Sequence, residues 1–130
     1  MISLTPTPMG FIALFSTEAA FQEFYTQTAP MLGINGGSSG LDTQGNRRYE
    51  FWHPHPNTYA YTKIDLSRLP DQRLQSFIRS NAQEVEKVMR YLANGCPSEL
   101  YTIAFRRWLM WAQFTQDGLA EMNRRLVVAL

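Results

Sequence analysis

The chain has 130 residues, 45% of them hydrophobic and 18% charged, with a formal net charge of +1. That composition excludes a disordered tail or a charge-driven linker and suits one domain with a core of its own. No apolar run approaches the ~18 residues that cross a bilayer, and so small a net charge cannot hold DNA by its field alone.

Residues 1–9 carry Pro6 and Pro8 among small polar residues and read as an extended lead-in. Phe11–Phe15 is a short apolar run, the mark of a buried strand. Ser16 or Thr17 then caps a helix with Glu18 in its first turn. Phe21, Phe24, Tyr25 and Thr28 give that helix its stripe, and Pro30 is expected to end it.

Gly33 to Asn46 is rich in Gly and Ser and reads as a mobile loop at about 33–46. It is not a phosphate-binding loop, because Leu41 and Asp42 follow Gly40 where a lysine and a hydroxyl residue are needed. Two strands are expected next, Arg47–His53 and Thr58–Leu66, joined by a turn at Pro54-His55-Pro56-Asn57.

A helix from about Leu69 to Ala93 is the clearest element. Its seam steps through Leu74, Ile78, Asn81, Val85, Val88 and Leu92 in the 4-3 spacing of a coiled coil, with one polar member, Asn81. Asn94-Gly95 closes it. Ser98 can cap a last helical segment running toward Leu130, striped by Leu100, Ile103, Trp111, Phe114, Met122 and Leu126, with a break expected at Asp117-Gly118. Residues 100–105 are also rich in β-formers, which leaves a ferredoxin-like β-α-β-β-α-β order as the alternative.

The expected fold is therefore one α+β domain over residues 1–130. It has a small antiparallel sheet of about three strands, with the long helix and the C-terminal helix layered on one face.

Chemistry is harder to find. His53 and His55, two apart, are weak candidates for metal ligands, but prolines flank them and no further His or Cys pair completes a shell. Cys96 stands alone, which precludes an internal disulfide, and it follows a helix C-terminus, where a thiolate is disfavoured. Glu84 and Glu86 point to different sides of their helix. No catalytic constellation and no cofactor is expected. Met1-Ile2-Ser3 lacks the basic opening of a signal peptide, so the cytoplasm is the expected location.

Charge is unevenly spread. Residues 1–46 hold three acids and no Lys or Arg, while residues 47–130 hold all twelve bases against eight acids. Arg106-Arg107-Trp108 with Trp111 combines the residue types enriched at protein interfaces, and Arg107 can stack on Trp111 one turn away. These residues and Asn81 are the candidate interface of a non-catalytic interaction protein, an adaptor, assembly factor or inhibitor, expected to form a homodimer. The alternative is a single-stranded nucleic-acid binder using Arg47, Arg48, Trp52, Tyr59, Tyr61 and Lys63 on one aromatic and basic hairpin. No membrane partner is expected.

Overall fold

The computed structural model describes residues 1–54 and 61–129. Its architecture is α+β, with a four-stranded antiparallel sheet in the order β1-β2-β4-β3. The strands are β1 (Ser3–Thr7), β2 (Gly10–Phe15), β3 (Asn35–Leu41) and β4 (Arg47–Trp52). A first helical rod comprises α1 (Glu18–Glu23), a π-helical turn (Phe24–Thr28) and α2 (Ala29–Leu32). The chain closes with α3 (Asp71–Ala93), a short 3-10 turn (Ser98–Leu100) and α4 (Tyr101–Ala129). Residues 101–105 are helical and the sheet has no strand after β4 among the described residues, so the ferredoxin-like order does not apply.

Alternation along the two central strands decides which face is covered. Phe11, Ala13 and Phe15 of β2 and Tyr49 and Phe51 of β4 point into one core with Phe21, Phe24, Leu32, Val88, Leu100 and Ala104 from the helices. Phe15 and Phe51 are almost wholly enclosed, and their rings meet Phe24 at centroid distances of 5.4 and 5.8 Å. On the other face Arg48 pairs with Glu50 at 3.5 Å, and Trp52 is half exposed.

The first rod is longer than Pro30 suggests. Thr17 caps it, its side chain accepting from the Ala20 amide at 3.1 Å. Proline lacks the amide that an α-helical interior needs, yet Pro30 sits in the first turn of α2. The π-helical turn immediately before it shifts the bonding pattern, and the Ala29 amide reaches back to the Phe24 carbonyl. The rod ends at Gly33, whose φ of 70° is the left-handed cap that glycine adopts at no steric cost.

Three other expectations are corrected. The proline-bearing N-terminus is an edge strand, β1, where a missing amide costs no central ladder bond. The Gly/Ser stretch contains a strand, β3, paired with β4 through a bulge between Gly36 and Ser38. The anticipated hairpin of Arg47–His53 with residues 58–66 does not form. β4 pairs instead with β2 and β3, residues 61–66 carry no strand, and the turn and residues 58–60 lie outside the described residues.

Aromatic packing explains β3. A Cβ on Gly36 would fall on the ring and hydroxyl of Tyr49, and one on Gly37 would sit 2.7 Å from the Trp52 ring. The glycines thus leave room for two aromatic side chains of the neighbouring strand to lie across them. Asp42 closes the β3–β4 hairpin, its Oδ1 accepting from the amides of Gln44 and Asn46, while Gly45 supplies a positive φ.

α3 and α4 form an antiparallel pair along the seam read from the sequence. Leu74, Asn81 and Val88 are buried, and the Asn81 side-chain amide donates to the Phe77 carbonyl of its own helix at 2.7 Å. No break occurs at Asp117-Gly118. Gly118 is buried inside a continuous helix, because a Cβ there would lie 2.5 Å from Ile78 Cγ1.

The glycines of β3 make a contrast that melting curves can read. Gly36→Ala should destabilise the fold by about 1–3 kcal/mol, since the Tyr49 ring must move out of a packed site. Gly40→Ala meets nothing within 4 Å and should be neutral or slightly stabilising.

Candidate functional site

The described residues contain no group of three or more His, Cys, Asp or Glu arranged to hold a metal ion. His53 lies edge-on to Phe11 at 5.2 Å, and its backbone amide donates to the Met9 carbonyl. His55 lies outside the described residues. Cys96 is partly buried, its Sγ 3.4 Å from the Pro97 carbonyl, and burial pushes its thiol pKa up. That is opposite to what a nucleophile needs.

The residues expected to bind nucleic acid are not brought to one surface. Arg48 and Trp52 belong to the uncovered face of the sheet. Arg47 turns the other way, bonding Glu18 at 2.8 Å and Ser39 at 2.9 Å, with its guanidinium 5.0 Å from the Phe21 ring centroid. Tyr61 is in the helical layer, its ring 5.3 Å from Phe114 and its hydroxyl donating to Asp117. Lys63 is also there, lining a groove with Glu121 and Arg124. Tyr59 lies outside the described residues.

Of the candidate interface residues, Asn81 is enclosed between α3 and α4, so it offers no surface. Arg107 ties two layers together. Its Nε donates to the Met31 carbonyl of α2 at 3.1 Å, and its guanidinium lies 5.0 Å from the Trp111 ring centroid, the stacking expected from the sequence. Trp111 is partly buried against the core beneath it. Arg106 is exposed on the adjacent side of α4. Trp108 stacks on Phe105 at 5.7 Å and lies at the boundary between core and solvent. Both indole N–H groups are buried with no hydrogen-bond partner among the described residues.

What the sequence reading missed is a second apolar face on α4. Its core stripe holds as far as Phe114, but Leu126 is 61% exposed and, with Met122, belongs to another row. That row is Tyr101, Phe105, Trp108, Ala112, Thr115, Leu119, Met122 and Leu126, at intervals of 4, 3, 4, 3, 4, 3 and 4. Tyr101, Phe105, Leu119 and Leu126 are each about half exposed or more, and Leu109 flanks them. The spacing is present in the sequence, but the same helix also satisfies a stripe through Leu100, Ile103 and Trp111, which masks it. At the N-terminal end of α4 the row opens into a groove of about 330 Å³ shared with Met89, Leu92 and Ala93 of α3.

At its other end α4 is held by charge. Arg125 bonds Asp71 at 2.7 Å, Glu121 at 3.0 Å and the Leu66 carbonyl at 3.0 Å, fixing the stretch before α3 to the helix pair. Arg124 forms a two-bond pair with Glu121 at 2.9 and 2.6 Å. These hydrogen bonds, from Arg124 and then Arg125, hold the Glu121 carboxyl down at about 2, against its ordinary 4.5.

Comparisons with protein-family models, with curated proteins and with solved structures found no match for this chain. No helix among the described residues is long and apolar enough to cross a membrane.

A carboxyl whose pKa is depressed by folding stabilises the fold above its unfolded pKa and loses that effect as pH falls through the folded value. Glu121→Gln should therefore melt below the wild type at pH 7. The gap should narrow from about pH 4.5 downward and close near pH 2. A gap that stays constant over this window would show that the carboxylate charge is not what holds this end of α4.

Proposed function

We propose that this chain is a non-catalytic interaction protein, an adaptor, assembly factor or inhibitor, that recognises a polypeptide through the outward apolar face of α4. The supporting observation is that face itself, a row about 38 Å long at 1.5 Å per residue from Tyr101 to Leu126, in which Tyr101, Phe105, Leu119 and Leu126 are about half exposed or more. Large apolar side chains gathered on one exposed surface mark interaction sites. The eight positions of the row carry no charged residue, with Arg106 and Arg124 exposed to one side of it, in keeping with the loss of charge at the centre of protein interfaces.

The total accessible surface agrees. It is 8384 Å², whereas a compact monomer of 15.0 kDa exposes about 7,000 Å². α4 contributes to the central core only through its first third, from Ile103 to Trp111. Beyond that, the helix pair projects past the sheet. The bulkiest side chains of the interface are Trp108 and Phe105, with Leu109 beside them and Arg106 at the rim, whereas Arg107 and Trp111 support it from behind.

A photo-activated crosslinking residue placed at Phe105 reads this directly in the cells that make the protein. Covalent polypeptide adducts are expected at Phe105 and not at Thr43, in the distant β3–β4 hairpin loop. Equal labelling at the two positions, or none at Phe105, would refute the reading.

A further inference from the structure

The row on α4 has a property that a general sticky patch lacks, because its large and small members are arranged to fit their own reverse. Set antiparallel about the midpoint between Ala112 and Thr115, each position meets a complementary one on a second copy. Tyr101 faces the partner's Leu126, Phe105 faces the partner's Met122, and Trp108 faces the partner's Leu119. Ala112 faces the partner's Thr115 at the centre, where small side chains let two helices approach closely. A parallel pairing would crowd Trp108 onto the partner's Trp108 and Phe105 onto the partner's Phe105 at one end.

The surroundings agree with the same occupant. The C-terminal turns of α4 expose Leu119, Leu126, Val127 and Val128, a hydrophobic end with no charge after Arg125 among the described residues. Antiparallel pairing lays that end over the groove formed by Met89, Leu92, Tyr101 and Phe105 of the other copy. Both exposed features are then covered twice by one symmetry operation, as a closed two-fold dimer requires. The exposed side chains on the seam and its groove, Met89, Tyr101, Phe105, Leu119 and Leu126, present roughly 500 Å² per chain, scaling from about 200 Å² for a whole large side chain. That is about two-thirds of the ~800 Å² per partner of an ordinary stable interface, before the partly buried members of the row are added. Near-absence of charge on the row means that no like-charge pair opposes the approach.

We infer that the partner of this face is a second copy of the chain, joined through an antiparallel α4–α4 seam in which Tyr101 packs against the partner's Leu126. The inference rests on the reading of α4 as an interface. It differs from the dimer expected from the sequence, because the seam through Asn81 is occupied within the chain.

Light scattering behind a sizing column, at tens of micromolar, should give twice the chain's 15.0 kDa for the wild type. Tyr101→Glu and Leu126→Arg change exposed positions and should keep the circular dichroism of the parent. Each alone should weaken association at least tenfold and run as a monomer. Mixed in equal amounts they should recover the double mass, because one end of the hybrid pairs a carboxylate with a guanidinium and the other keeps the native contact. Phe105→Glu mixed with Met122→Arg should do the same one layer inward. Failure of both mixtures to recover dimer would overturn the antiparallel seam, and a monomeric wild type up to 100 µM would overturn the second copy altogether. In that case, Phe105 adducts of a different polypeptide mass would leave the interaction reading standing. Absence of adducts would remove both. A monomer that co-floats with phosphatidylcholine vesicles would place lipid on the face and overturn the inference.

Discussion

Gly118 is buried where α4 crosses α3, with Ile78 and Phe77 filling the space that any side chain there would need. Close approach at that point lets Leu74, Asn81 and Val88 of α3 all face α4, so the long helix spends its seam inside its own chain. Much else follows from this contact. The two helices must run antiparallel over most of their length, and 29 residues of α4 extend well past a sheet whose strands have five to seven. A helix packed on one side only, over most of its length, then leaves its other side to solvent. That side exposes Tyr101, Phe105, Leu109, Leu119 and Leu126, with Gln113, Gln116, Asn123 and Arg124 beside them.

The sheet depends on a different kind of fit. Tyr49 and Phe51 on β4 form the floor of the core, and Tyr49 extends over Gly36 of β3, where no other residue would leave space. Phe24 and Phe21 seal the core from the first helical rod, the rod being kept continuous through Pro30 by its π-helical turn. Arg47 and Arg107 then tie the layers at opposite ends, one joining β4 to Glu18 of α1, the other joining α4 to the Met31 carbonyl of α2. Each cation bonds a specific acceptor and lies over an aromatic ring, so each contributes packing as well as charge.

Periodic patterns carried most of what was legible in the sequence. The 3.6-residue repeat located α3 and α4, the Thr17 cap and the apolar run of Phe11–Phe15 located α1 and β2, and the α+β class followed. The failures share a physical cause, because in each the deciding contact was tertiary. Gly36 and Gly37 look like loop composition until Tyr49 and Trp52 lie across them. Gly118 looks like a helix break until Ile78 occupies its empty side. Residues 61–66 alternate like a strand, but Tyr61 finds Phe114 and Leu66 is buried next to Arg125, so the sheet does not recruit them. At the candidate site, the Arg107–Trp111 stack was legible from i,i+4 spacing alone. The role of Arg107 was not, since its acceptor is 76 residues away in sequence. The outward row of α4 was hidden by the second stripe on the same helix.

The contact on which the rest depends is the pairing of α3 and α4 within one chain at Gly118. Engineered cysteines at Ile78 and Gly118, in a Cys96→Ser background, test it most directly, because a Cβ at position 118 would lie against the side chain of residue 78. Oxidised at high dilution, the protein should give a crosslinked species of the chain's own 15.0 kDa, folded by circular dichroism. A disulfide-linked dimer would show that the seam of α3 pairs between chains instead, and quantitative failure to crosslink in a folded protein would show that α3 and α4 do not meet at this point.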